Sequence, residues 1–137
     1  MYLKEKSFPK DMTVVYVEAD SFPEGIQAAF DKLHTKVGDI KRVSYFGVSN
    51  PQPGKGIVYR AAAATLPAID AEKNGLGSMT IKGGEYYSIR LDDTNLDKKL
   101  ITEAFDKILS QPDIDPEGSC IEVYDHFGSS GLECIVR

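Results

Sequence analysis

The stretch Ala29-Phe30-Asp31-Lys32-Leu33 returns as Ala104-Phe105-Asp106-Lys107-Ile108, an offset of 75 residues. The same offset, without a gap, pairs further residues of similar type: Ile26 with Ile101, Ser44 with Ser119, Phe46 with Ile121, Val48 with Val123, Gly56 with Gly131 and Ile57 with Leu132. An ungapped match of this length is hard to obtain by chance. The sequence therefore predicts an internal duplication.

Each copy has the same predicted order of elements, strand-helix-strand-strand. Stretches rich in β-branched and aromatic residues predict strands at 13–18, 43–49 and 56–63 in the first copy, and at 85–91, 120–124 and 131–137 in the second. Apolar residues at helical spacing predict helices at 23–37 and 96–110. The residues predicted to cap these helices are Ser21 and Gly38 for the first, and Thr94 or Asn95 for the second.

Together these elements predict one α+β domain over residues 1–137, since a chain of this length suits one core rather than two. Module one spans about 12–66 and module two 85–137, and the turn formers between them predict a surface linker at 67–84. Hairpins beside helices predict an antiparallel sheet with both helices on one face.

Composition excludes several classes of protein. The formal net charge is −5 and no run of Lys or Arg exceeds a pair, so direct nucleic-acid binding is not expected. The chain lacks a signal-peptide pattern and an apolar stretch near the roughly 20 residues of a membrane span, so we expect a cytoplasmic protein without a membrane partner. The two cysteines and two histidines show no metal-site spacing, so neither a metal nor another cofactor is predicted.

Side chains of the strand at 120–124 alternate between the two faces of the sheet. We expect the apolar pair Ile121 and Val123 to face the helices, which turns Glu122 and Tyr124 away from them. The duplication pairs Glu122 with Gly47, whose missing side chain would leave room for a ligand or mark a strand bulge.

The cysteines lie in the predicted closing hairpin. A turn about Phe127 and Gly128 places Cys134 opposite position 121, so that Cys120 and Cys134 would face opposite sides of the sheet. We therefore predict two reduced thiols in a cytoplasmic protein.

Charged side chains are expected on the face turned away from the helices. Glu133 is predicted opposite the Glu122 region, and two neighbouring carboxylates would raise the pKa of one of them, an arrangement that acid/base catalysis uses. Arg60 would offset their charge. The alternative for all three is a set of solvated strand residues.

Tyrosines provide the candidate stacking surface. Tyr124, Tyr45 and Tyr87 could each lie against a flat ligand. Tyrosine is also common at half-exposed strand positions, so a purely structural role stays open for each.

Three stretches carry a family resemblance: Gly83-Gly84-Glu85-Tyr86-Tyr87, Ile121-Glu122-Val123-Tyr124-Asp125 and Leu132-Glu133-Cys134-Ile135-Val136. With the duplicated unit they resemble the gyrase-inhibitor-like domain, also called the bacterial transcription-activator effector-binding domain, over roughly residues 12–137. The resemblance implies two modules related by a pseudo-two-fold axis, with a ligand cleft between them. It also implies that Glu122, the Glu of the E-x-Y motif, pairs with cationic aromatic compounds while neighbouring aromatic side chains stack on them.

Our leading hypothesis is a stand-alone protein that binds a small amphipathic or cationic aromatic molecule, as an effector sensor or a sequestering protein. One alternative is a hydrolase of strained electrophilic small molecules that uses Glu122, with the remaining catalytic residues unknown. Another is a protein-interaction module that acts on a DNA-handling partner, and homo-oligomerisation also stays open.

Overall fold

The computed structural model describes residues 2–38, 42–54, 56–66, 68–91, 98–115, 118–124 and 132–137. Within these residues the elements are, in chain order, β1 (Lys4–Phe8), β2 (Met12–Glu18), α1 (Ile26–Val37), β3 (Arg42–Gln52), β4 (Gly56–Leu66), a short 3₁₀ helix (Glu72–Asn74), β5 (Gly77–Ile81), β6 (Gly84–Leu91), α2 (Lys98–Leu109), β7 (Cys120–Tyr124) and β8 (Leu132–Val136). Neither of the two described α-helices is long and apolar enough to cross a membrane.

The strands form one antiparallel sheet in the order β1-β6-β8-β7-β3-β4-β2-β5. The sheet is curled into a half-barrel, so the predicted α+β class with an antiparallel sheet is confirmed. Strands β3 and β7 pair at its centre, and β1 and β5 lie at its edges.

Both helices pack on the same side of the sheet, which we call the helix face. Helix α1 lies on β2 and β4, and α2 lies on β6 and β8. Tyr124 of β7 packs against the apolar clusters beneath both helices, which joins the two clusters across the central strands. The buried residues of α1 are Ala29, Phe30, Leu33 and Val37, the periodic stripe that predicted this helix.

The opposite side, which we call the inner face, is also apolar. Its buried residues are Val14, Phe46, Val48, Ala62, Ile81, Tyr86, Ile121 and Ile135. Ile81 of the edge strand β5 shares this cluster with Tyr86 of β6, from the other end of the sheet order. Because the sheet is curled, side chains from its two ends pack together on the inner face. Both faces of the sheet therefore bury apolar side chains.

The predicted linker at 67–84 is wrong. This segment contains the 3₁₀ helix and strand β5, which pairs with β2 and buries Ile81 to 4 % exposure. Strand β1 was also missed, because its charged sequence KEKSF lacks a strand pattern, yet it pairs with β6.

Helix ends follow the prediction in part. Helix α1 begins at Ile26 rather than residue 23, and no side chain caps it, so Ser21 is not the N-cap. The main-chain carbonyl of Ser21 instead accepts a hydrogen bond from the Gly25 N–H at 3.1 Å. Gly38 ends the helix at a φ of 67°, as predicted. Thr94, Asn95 and the turn at Phe127 and Gly128 lie outside the described residues.

The closing hairpin is shifted by one residue from the predicted register. Glu122 pairs with Cys134, and Ile121 pairs with Ile135. Cys120 and Cys134 therefore lie on the same face, the helix face, contrary to the prediction, and both are free thiols. The expected orientation of β7 is also wrong, since Ile121 and Val123 lie on the inner face and Glu122 on the helix face.

The ungapped offset of 75 does not extend into the last strand of each unit. Gly47 pairs with Ala61, and Glu122 pairs with Cys134. These partners are 73 positions apart rather than 75. The predicted match of Ile57 with Leu132 therefore does not hold in the ladders.

Candidate functional site

The centre of the sheet brings a glycine opposite a carboxylate, Gly47 on β3 and Glu122 on β7. A Cβ at Gly47 would overlap Glu122 Oε1 and the Tyr59 hydroxyl, and would lie 2.7 Å from Tyr59 Cζ. The missing side chain thus leaves the space that a pair of polar groups from β4 and β7 occupies.

Glu122 accepts hydrogen bonds from two tyrosines. The Tyr59 hydroxyl donates to Oε1 at 2.5 Å, and the Tyr124 hydroxyl donates to the same oxygen at 3.0 Å. Glu122 is 9 % exposed. Among the residues that the structure describes, no Lys, Arg or His forms an ion pair with it. The sheet centre therefore holds a buried carboxyl group that accepts from two neutral donors and has no cationic partner among the described residues.

Burial sets the electrostatics of this group. It raises the pKa of the Glu122 carboxyl above its usual range, although the hydrogen bonds from Tyr59 and Tyr124 act in the opposite direction. Burial, followed by the charge of Glu122, raises the pKa of the Tyr59 and Tyr124 hydroxyls. Both tyrosines thus stay protonated donors, while the carboxyl takes up a proton more readily than in water.

Aromatic rings surround the carboxyl group. Phe30 of α1 meets Tyr124 edge-to-face at 5.4 Å and Tyr59 at 6.2 Å between ring centroids. Phe22 stacks on Tyr59 at 5.8 Å and 27°. Phe22 is 44 % exposed, whereas Tyr59 is 3 % exposed. Phe22 is therefore the outermost ring of this aromatic cluster, defined as Phe22, Phe30, Tyr59 and Tyr124.

An open cleft of about 440 Å³ lies beside Phe22. Its lining includes Phe22 and Ile57, both partly exposed, and the acidic residues Glu18 and Asp20. The approach to the aromatic cluster is thus apolar and acidic, a combination that suits an organic cation.

The hydroxyls of the other two predicted tyrosines lie beside partners other than Glu122. Tyr45 lies opposite Tyr124 in the β3–β7 ladder, and its hydroxyl is 3.1 Å from His34 Nδ1. Tyr87 lies on β6, where its hydroxyl donates to the Asp113 carboxylate at 2.7 Å. Tyr45 therefore borders the Glu122 site, while Tyr87 lies apart from it.

Glu133 and Arg60 lie on the opposite side of the sheet from Glu122. Glu133 forms an ion pair with Lys6 of β1. The Arg60 guanidinium covers the Tyr16 ring at 4.7 Å, and its Nε is 3.4 Å from Glu18. The expected pair of neighbouring carboxylates, with Arg60 beside it, is therefore wrong, because Glu122 pairs with Cys134, and Glu133 precedes Cys134 in β8 and faces the opposite side of the sheet.

Sequence reasoning missed Tyr59, a hydrogen-bond partner of the central carboxyl group. A signal was present, because Tyr59 alternates with Ala61 and Ala63 on the helix face of β4. A single large polar side chain above small ones has space to reach a neighbouring strand. Phe30 was predicted as core and is buried, but it also forms part of the aromatic cluster.

No known protein-family profile matches the chain, and no curated protein sequence matches it. Among solved structures, an integron cassette protein from the mobile metagenome of Vibrio cholerae has 10 % identity and a TM-score of 0.66, covering 98 % of this chain and 94 % of that one. SAV2435 bound to tetraphenylphosphonium has 13 % identity and a TM-score of 0.67, covering 99 % and 93 %.

A third similar structure is a candidate bacterial transcription regulation protein from Staphylococcus aureus MU50. It has 13 % identity and a TM-score of 0.58, covering 98 % of this chain and 95 % of that one. At these identities the three comparisons show a shared fold over nearly the whole chain. One of the proteins with this fold, SAV2435, is bound to a small organic cation.

Proposed function

We propose that this protein binds a small cationic aromatic molecule at Glu122, as a cytoplasmic sensor or sequestering protein of the gyrase-inhibitor-like class. The observation that carries the proposal is the buried Glu122 carboxyl, which has no cationic partner among the described residues and lies beneath aromatic rings. Burying an unpaired carboxylate is costly, and a bound cation would offset that cost. The rings around it would stabilise the same ligand by stacking and cation–π contacts.

The ligand site lies where two copies of one module meet. The β3–β7 ladder supports this, since an offset of 75 converts the pair Tyr45 and Tyr124 into the pair Cys120 and Ser49 of the same ladder. Gly47 and Glu122 are the pair at the centre. The sheet order is consistent with the same two-fold relation, because β3-β4-β2 on one side corresponds to β7-β8-β6 on the other.

The shared fold supports the ligand class. Tetraphenylphosphonium, the compound bound to SAV2435, carries a single positive charge surrounded by aromatic rings. A ligand of that chemistry matches the carboxyl group and the aromatic cluster of this chain.

A ligand reaches Glu122 by displacing Phe22. This ring is the exposed layer over Tyr59, and the cleft beside it presents Asp20 to an approaching cation, whereas the Glu18 carboxylate is paired with Arg60. The ligand would replace the Phe22–Tyr59 stacking with its own ring, so the displacement costs little aromatic contact.

The test is calorimetric titration of tetraphenylphosphonium into the wild type and Glu122→Gln. We expect Glu122→Gln to weaken binding about tenfold or more, because Gln keeps the size and the hydrogen-bond acceptor but removes the charge. Glu133→Gln is the matched control, since it removes a carboxylate from the opposite face, and its affinity should stay within about twofold of the wild type. Equal affinities for the wild type and Glu122→Gln would refute the proposal, as would no binding of this compound or of a panel of cationic dyes.

Hydrolysis of a strained electrophile is the second candidate. The raised pKa of Glu122 favours it, because a carboxyl group that titrates nearer to neutral pH can act as a general acid or base. Mass spectrometry of small epoxides and aziridines incubated with the wild type and Glu122→Gln would test it. Turnover lost in Glu122→Gln supports hydrolysis, and binding without product rejects it.

A further inference from the structure

We propose a second binding site, on the inner face, for a small amphipathic monocarboxylate whose anionic end meets Arg137 and Lys82 and whose apolar body lies on Val48, Ile81 and Ile121. An open cleft of about 220 Å³ carries these residues. It is separate from the Glu122 site, because Ile121 and Glu122 are adjacent residues of β7 that face opposite sides of the sheet.

The floor of the cleft is apolar and rigid. Val48, Ile81 and Ile121 belong to the buried inner-face cluster, and they come from three different strands, β3, β5 and β7. Side chains held in this way offer a preformed surface to an acyl chain or a single ring. Burial of such a ligand would follow the usual gain for apolar area removed from water.

Two cations lie at the rim. Among the residues that the structure describes, neither Lys82 nor Arg137 forms an ion pair. The Tyr86 hydroxyl donates to the Lys82 carbonyl at 2.5 Å, which fixes the main chain at Lys82. The Asp115 N–H donates to the Arg137 carbonyl at 3.1 Å, which fixes the end of the sheet beneath Arg137.

The Arg137 guanidinium lies beside Gly84. A Cβ at this glycine would lie 3.6 Å from Arg137 Nη2, at a φ of 118° that other residues rarely adopt. Burial raises the pKa of the Tyr86 hydroxyl, the charge of Arg137 opposes that rise and the charge of Asp11 adds to it, so the guanidinium acts on the same cleft that Tyr86 lines.

The charge of the cleft is opposite to that of the chain. Its described lining holds the two cations and one carboxylate, Asp115, whereas the chain carries a formal net charge of −5. A single anionic group matches the excess of one positive charge. A guanidinium binds a carboxylate through two parallel hydrogen bonds, so Arg137 would supply most of the specificity.

The volume sets the ligand's size. Pockets for drug-sized ligands begin near roughly 300 Å³, and a water molecule occupies about 30 Å³, so this cleft has room for about seven waters. A short acyl chain or one aromatic ring with a carboxylate fits that space, whereas a compound with several rings does not.

The experiment is NMR titration of the folded chain with hexanoate, hexanamide and acetate. We expect hexanoate to shift the resonances of Tyr86 and Ile121, and to bind at least about tenfold more tightly than the neutral amide or the shorter acetate. Equal affinities for hexanoate and either comparison compound would overturn the proposal, as would the absence of hexanoate binding.

Variants assign the anion contact. Arg137→Gln should weaken hexanoate about tenfold or more, and Lys82→Gln about threefold, whereas Lys73→Gln on the 3₁₀ helix and Glu122→Gln should stay within about twofold of the wild type. Unchanged affinity in Arg137→Gln, or an equal loss in Lys73→Gln, would show that only overall charge matters and would reject the site. If Arg137→Gln fails to fold, the exposed Lys82 decides, because its variant must then weaken hexanoate more than Lys73→Gln does.

Discussion

At the scale of single residues, Gly47 determines where two polar side chains from other strands meet. Its hydrogen atom leaves room for the Tyr59 hydroxyl against Glu122 Oε1, and the backbone of Gly47 does not adopt a positive φ. The requirement for glycine is therefore steric rather than conformational. Whether alanine at this position lowers or raises the free energy of unfolding separates the steric cause from the conformational one.

Gly47→Ala should destabilise the protein by about 1–3 kcal/mol, because the new methyl group must displace Tyr59 or Glu122 from a packed site. A strand glycine with free space around it would instead gain about 0.4–1 kcal/mol from the same change. Urea unfolding measures the difference, with the exposed Ser44→Ala of the same strand as control. A Gly47→Ala variant as stable as the wild type would show that the polar pair has room to move.

The raised pKa of Glu122 predicts a pH dependence of stability. The folded protein holds the proton of the Glu122 carboxyl more tightly than the unfolded chain does. The contribution of this proton to stability is therefore complete below the usual pKa of a glutamate. It is lost as the pH rises through the raised pKa. Glu122→Gln does not titrate, so its stability relative to the wild type should increase with pH across this window, by at most about 1.4 kcal/mol per pH unit.

Urea unfolding of both proteins at a series of pH values measures this difference. Parallel curves for the wild type and Glu122→Gln would mean that Glu122 is not perturbed by folding.

At the scale of elements, the sequence predicts most of the strands but not which way they face. Alternation correctly predicts that Glu122 and Tyr124 share one face of the sheet, but the predicted face is the wrong one. Alternation identifies a side with apolar residues as buried, but in this curled sheet both sides are buried. The position of the helices is then decided by tertiary packing, which no local pattern contains.

The register of the closing hairpin was predicted incorrectly for a related reason. Counting from an assumed turn at Phe127 and Gly128 gives Cys134 opposite position 121, one residue from the observed pairing with Glu122. A shift of one residue in register places every side chain of a strand on the other face of the sheet. The Glu122–Tyr59 contact could therefore not be predicted, since it depends on the register of three strands at once.

Strand β5 shows how tertiary pairing overrides local composition. Its sequence GSMTI follows a turn-forming segment and carries only two large apolar residues, Met79 and Ile81, of which Ile81 is buried among residues of the inner face. Pairing with β2 makes it a strand, and nothing within the segment predicts that partner.

Ile81→Ala tests this assignment. It should cost about 2–4 kcal/mol of unfolding free energy, because it removes a side chain that is 4 % exposed from the inner-face cluster. In a surface linker the same change would have almost no effect. Leu66→Ala is the control from a 62 % exposed position, with an expected change within about 0.5 kcal/mol, and an equally small effect at Ile81 would restore the linker interpretation.

At the scale of the whole molecule, the inner face joins the two halves of the chain. Ile81 lies on β5, which pairs with β2 of the first module, whereas Ile135 lies on β8 of the second, and both belong to one buried cluster. Ile135→Ala should therefore lower the midpoint of the same unfolding transition as Ile81→Ala, by a similar free energy of about 2–4 kcal/mol.

Urea unfolding followed by far-UV circular dichroism and by tyrosine fluorescence measures this coupling. Coincident curves are expected for the wild type and both variants. Two separate transitions, each sensitive to only one of the substitutions, would mean that the halves fold independently.

The pairing of β1 with β6, of β2 with β5 and of β3 with β7 has a consequence for reassembly. Each of the three ladders joins a strand before the exposed Ala68 to a strand after it, and Tyr59 lies before Ala68 while Glu122 lies after it. A polypeptide cut there yields two fragments that each carry half of the carboxyl site. A cation that binds at Glu122 would act as a chemical dimeriser of the fragments, and its concentration would set how much split protein regains its fold.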